Sequence, residues 1–107
     1  MHEWVNLTNF LGESILNPSE RQLSAALREL FASRDDEHPD AWIDCGSNDG
    51  PLYSLSIFSS GYAIFTKYSD ADMSEELEEI EIANIDVDTG LALWKDLVAG
   101  KTPTAKT

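Results

Sequence analysis

A chain of 107 residues with 42% hydrophobic residues and three tryptophans has the length of one compact domain and enough apolar side chains for a core, which excludes intrinsic disorder. Twenty acidic residues against seven Lys and Arg give a formal net charge of -13, a field that repels nucleic acid and anionic membranes and speeds encounter with basic surfaces. Cys45 is the only cysteine, the opening Met1, His2, Glu3, Trp4 lacks a signal peptide's basic start and apolar run, and no stretch reaches the ~18 apolar residues of a membrane span, which together point to a reducing cytoplasm.

Residues 1–16 mix Trp4, Val5, Leu7, Phe10, Leu11, Ile15 and Leu16 with polar residues in no clear period, which predicts a short strand or an irregular segment packed on the core. Asn17, Pro18, Ser19 and Glu20 then form a helix start, with Asn17 as N-cap, proline at the first helical position and Glu20 closing a capping box. Leu23, Ala26, Leu27, Leu30 and Phe31 recur at three- and four-residue spacing, so an amphipathic helix from about residue 18 covers a flat surface. It ends near Ser33, before the solvated run Arg34, Asp35, Asp36, Glu37, His38, Pro39, Asp40.

From Ala41 the period becomes two, with Ala41, Ile43 and Cys45 alternating with Trp42 and Asp44 until Ser47, Asn48, Asp49, Gly50 and Pro51 turn the chain. A second strand, Leu52 to Phe58, sets Tyr53, Leu55 and Ile57 on one face, and Ser59, Ser60, Gly61 turn into a third, Tyr62 to Tyr68. After Ser69 to Glu76, an exposed acidic loop or a helical turn, residues Glu78 to Ile85 alternate acid and aliphatic, the pattern of a strand with one buried and one charged face. Asp88 caps a final helix striped by Leu91, Trp94, Leu97 and Val98, and Gly100 stops it ahead of a polar tail, Lys101 to Thr107. The fold class is α+β: a mostly antiparallel sheet of about four strands covered by an N-terminal and a C-terminal helix in a single domain, residues 1–100.

The residues give catalysis little to rest on. His2 and His38 adjoin no nucleophile motif, Cys45 reads as a buried strand residue, and the six glycines, at 12, 46, 50, 61, 90 and 100, are isolated at turns or caps and form no phosphate-cradling loop. Asp70, Asp72, Ser74 and Glu76 alternate as a calcium loop begins, but the sixth and twelfth positions hold Glu75 and Glu81, so the glycine that makes the sharp turn is missing. No metal or cofactor is expected.

Nine acids, Asp70, Asp72, Glu75, Glu76, Glu78, Glu79, Glu81, Asp86 and Asp88, lie between Ser69 and Asp88 without a Lys or Arg among them. Like charges so close repel, and solubility alone is served by interspersed lysines, so the cluster reads as a binding surface. Its candidate contact residues are Tyr68, Asp70, Asp72, Glu75, Glu76, Glu78 and Glu79, with Tyr68 the tyrosine expected to be exposed. Asp35, Asp36, Glu37, Asp40, Asp44 and Asp49 form a second acidic group whose position is open.

The Asn17-Pro18-Ser19-Glu20 helix start with Leu23, Leu27 and Leu30, the glycine-punctuated strands from Trp42 to Tyr68 and the closing helix through Trp94 to Gly100 resemble the first immunity-protein family of bacterial polymorphic toxin and contact-dependent inhibition systems. The resemblance covers about residues 17–100 and implies an acidic, non-catalytic inhibitor that binds and neutralises a cognate nuclease or deaminase toxin. An acidic nucleic-acid mimic or regulator acting on a DNA- or RNA-binding protein is the alternative from another class.

Overall fold

A computed structural model describes residues 4–32, 40–46, 51–69 and 75–101. The chain is α+β, with six strands and two helices in the order β1 (Trp4–Thr8), β2 (Ser14–Leu16), α1 (Glu20–Ala32), β3 (Asp40–Gly46), β4 (Leu52–Phe58), β5 (Tyr62–Tyr68), β6 (Glu76–Ala83) and α2 (Val87–Val98). The strands form one open antiparallel sheet ordered β2-β1-β3-β4-β5-β6.

The sheet is wider than the expected four strands because the aperiodic N-terminal segment supplies two. Its hairpin loop is held by one side chain: Asn9 Oδ1 accepts from the backbone N–H groups of Leu11 and Glu13, both at 3.0 Å, while Gly12 takes φ 85°. Val5 and Leu7 then pair with Cys45 and Ile43, placing β1 beside β3.

The start of α1 differs from the expected cap. Ser19 and Gln22 form the capping box, Ser19 Oγ accepting from the Gln22 N–H at 3.2 Å and Gln22 Oε1 from the Ser19 N–H at 2.8 Å. Asn17 instead adopts φ 51° and closes onto β1, its Oδ1 accepting from the Val5 N–H at 3.1 Å. At α2 the cap is Asp86, two residues ahead of Asp88: its carboxylate accepts from the Thr89 N–H at 2.9 Å and the Thr89 hydroxyl accepts from the Asp86 N–H at 2.8 Å. The expected stop at Gly100 is present, with φ 90° and the Gly100 and Lys101 N–H groups donating to Leu97 and Asp96, a Schellman ending.

Both helices lie on one face of the sheet, because alternation makes only that face apolar across every strand. Val5, Leu7, Ala41, Ile43, Cys45, Leu55, Ile57, Ala63 and Phe65 meet Leu23, Leu27 and Leu30 of α1 and Trp94 and Leu97 of α2 in one core. Each such large aliphatic residue contributes about 1.5–3 kcal/mol on burial. Gly46 and Gly90 are not turn or cap residues as expected: Gly46 ends β3, and Gly90 lies inside α2, where a Cβ would meet Leu27 and Ile85 at 3.4 Å and Ile57 at 3.5 Å. The missing side chain brings α2 against α1 and β4. No helix among the described residues is long and apolar enough to cross a membrane.

Candidate protein-binding surface

The residues that point away from the helices form the second face of the sheet, and among the described residues no helix or strand packs over it. Strand register sorts it into cross-strand rows, whose directly opposed side chains stand about 5 Å apart. One row runs Trp4, Gly46, Leu52, Tyr68, Glu76; the next Asn6, Asp44, Ser54, Thr66, Glu79; the third Thr8, Trp42, Ser56, Ile64, Glu81; the last Asp40, Phe58, Tyr62, Ala83. A polar row is thus flanked by rows bearing Trp4, Leu52 and Tyr68 on one side and Trp42 and Ile64 on the other.

Aromatic packing fixes the ends of these rows. The Phe58 and Tyr62 rings stack at 4.5 Å between centroids and 5° between planes, leaving Tyr62 37% exposed. The Trp4 indole lies over Gly46, where a Cβ would come within 3.2 Å of both Trp4 Cζ2 and the Pro51 carbonyl oxygen. Leu52 beside it is buried although it belongs to this face.

Asp44 sits at the middle of the polar row. Burial pushes its carboxyl above the ordinary carboxylate range, against hydrogen bonds from the Ser54 hydroxyl and the Trp42 indole N–H that stabilise the anion. Its Oδ1 is withdrawn from the surface without a hydrogen-bond partner, and an unmet buried acceptor costs about 1–3 kcal/mol. On the opposite side of β3, the Cys45 thiol is fully buried and pushed up to about 12 by burial and by the Asp44 charge, which makes it a core residue and a poor nucleophile.

The described cations lie off the open face, whereas acids lie on both sides, Glu20 and Glu29 in α1 and Asp88 and Asp96 in α2 among them. Of the described cations, Arg21 and Arg28 belong to α1, Lys95 to α2 and Lys101 follows it; Lys67 points to the helix side, its Nζ 5.8 Å from the Tyr53 ring centroid. The open face carries Asp40, Asp44, Glu76, Glu79 and Glu81 and no Lys or Arg among the described residues. β6, a sheet edge, is exposed along most of its length, and its glutamates guard it against unintended strand pairing.

The structure divides the sequence-predicted site. Asp70, Asp72 and Ser74, the start of the calcium-loop-like alternation, lie outside the described residues, as does His38. Glu79 opposes Thr66 on the open face and Glu78 opposes Lys67 on the other, as alternation requires, while a bulge at Leu77 turns Glu76 onto the open face opposite Tyr68. Glu75 precedes β6 and accepts the Ser69 N–H at its carbonyl, 2.9 Å away. Tyr68 is half-buried, and Tyr62 is the exposed tyrosine. Sequence reasoning did not gather Trp4, Asn6, Trp42 and Ser54 onto one face, where Thr66 of the same row is buried; the period-two alternation around Ile43 and Leu55 was the available signal. Among the described residues no three His, Cys, Asp or Glu side chains converge as metal ligands. No protein-family model, no curated protein and no solved structure matches this chain.

Proposed function

We propose that this protein is a non-catalytic inhibitor of the immunity type, which binds a basic toxin domain and neutralises it by covering its working surface. The observation that carries the reading is the placement of the cations: an open sheet face and an edge strand hold acids and aromatics with no described Lys or Arg among them, so the acids there are uncompensated. Aromatic side chains ringed by charge are the usual composition of a tight protein interface, and the acids steer a basic partner toward it. The net charge of -13 disfavours nucleic acid as the ligand.

The test is co-expression and mixing with the product of the gene immediately upstream. Formation of a complex that weakens with salt, together with rescue of cells from that product's toxicity, is the expected result. Absence of both complex and protection sinks the reading.

A further inference from the structure

Resting on that reading, we infer that the partner attaches at the outer edge of β6, by adding an extended basic strand of its own to the sheet. The two sheet edges are built differently. β2 closes one side with three residues, too few to template a further strand, whereas β6 runs for eight, against about five or six in an ordinary strand. As the last strand of the sheet, β6 turns the N–H and C=O groups of every second residue away from β5, toward no other strand among the described residues. It contains no proline, glycine or lysine, and after the bulge at Leu77 its pairing with β5 is regular from Glu78 to Ala83. The devices that commonly close an edge to backbone pairing are therefore missing along this stretch.

The side chains of β6 select what pairs there. Glu79 and Glu81 belong to the open face and stand opposite the uncharged Thr66 and Ile64, so no cation across β5 answers them, whereas Glu78 on the other face stands opposite Lys67. Ile80 and Ile82 share that other face, half-buried against the core. A strand laid beside β6 meets carboxylates at one set of alternate positions and aliphatic side chains at the other, so its complement alternates Lys or Arg with Val, Ile or Leu. A second copy of this chain is the wrong occupant. Antiparallel pairing of two β6 strands centred on Ile80 sets Glu79 of each opposite Glu81 of the other, and directly opposed like charges destabilise a strand pair. Main-chain hydrogen bonds supply the attachment, and the glutamates choose the partner.

Strand addition is testable without the toxin. The full-length protein is titrated with the peptide acetyl-Lys-Val-Lys-Val-Lys-Val-Lys-amide while backbone amide hydrogen exchange is followed by NMR. Two controls run beside it: NaCl at matched ionic strength, and the same peptide with its central valine replaced by proline, which keeps the charge but removes a backbone donor and breaks the strand. The expected result is saturable slowing of exchange at alternate amides of residues 78–83, absent with NaCl. Binding should weaken about ten-fold or more with the proline peptide, and by a similar factor when Glu79→Gln and Glu81→Gln are combined. Equal binding of the two peptides, protection that is absent or gathered away from β6, or an affinity unchanged in the double variant overturns the inference. Any of these leaves the inhibitor reading intact, whereas an upstream-gene product that fails to bind removes that reading and leaves the capacity of β6 to take a basic strand standing.

Discussion

The indole N–H of Trp94 donates to the carbonyl oxygen of Leu55 at 3.0 Å inside the core, joining the middle of α2 to the middle of the sheet across 39 residues of chain. Trp94 is fully buried, so its ring fills space that nothing else supplies. Trp94→Phe removes both the donor and part of the ring, and is expected to lower stability by about 2–4 kcal/mol. Urea denaturation followed by circular dichroism measures it; a midpoint within error of the parent would mean that this bond does not hold α2 in place.

Gly46 leaves room for the Trp4 indole. Gly46→Ala places a methyl 3.2 Å from Trp4 Cζ2 and from the Pro51 carbonyl, and only the indole is free to yield. A loss of about 1–3 kcal/mol is expected, accompanied by a shift in tryptophan fluorescence as Trp4 moves. An Ala variant with unchanged emission and unfolding midpoint would show that Trp4 does not rest there.

Asp44 makes stability depend on pH in an unusual direction for a carboxylate. Its folded pKa is raised by burial, so the folded chain holds this proton more tightly than the unfolded chain. Its contribution therefore improves as pH falls from neutrality through the folded pKa toward the unfolded value of about 3.9, and is lost as pH rises. Asp44→Asn removes the buried charge, so the variant should be the more stable protein at pH 7, with the difference shrinking toward pH 4. Paired melting curves at the two pH values decide; a variant less stable at pH 7 contradicts the assignment. Asp86 carries the opposite sign, since the Thr89 N–H and hydroxyl hold its carboxyl below the ordinary range and its stabilisation fades in acid.

Cys45 should be silent to thiol reagents. Buried and pushed up to about 12, it presents no thiolate at pH 8, and labelling by a chromogenic disulfide should proceed only as fast as the core opens. Labelling that accelerates in step with urea-induced unfolding is expected, and a rapid native-state reaction would contradict the burial.

For partner binding, Glu76→Lys with Glu79→Lys on the open face should weaken association with the upstream-gene product by ten-fold or more at low salt, about 1.4 kcal/mol. Glu29→Lys, at an exposed position of α1, is the control. Glu20 is unsuitable for that purpose because it pairs with Lys95 at 3.0 Å. Equal effects of the two changes in a binding titration would mean that the acidity acts only as a general coat.

Much of the fold is local and was legible. Strict alternation gave Leu52–Phe58 and Tyr62–Tyr68 their bounds and faces, and Gly100 its role, because period and φ preference are properties of a few adjacent residues. The caps were misread for the same local reason: Asn17 and Asp88 are as good cap formers as Ser19 and Asp86, and the choice fell to where β1 and Ile85 hold the chain. Leu77 shows the limit of pattern reading, since one bulged residue set Glu76 on the face of Glu79, where alternation alone would have put it with Glu78.

By itself the sequence determined the charge of -13, the apolar side of each central strand and the two amphipathic helices, since each is written in composition or short-range period. Only the tertiary structure decided that β1 inserts beside β3, that both helices choose one face, and that Asn6, Asp44, Ser54 and Thr66 become one row. Those are pairings between distant segments, selected by which faces can be buried together, and no single segment carries that information.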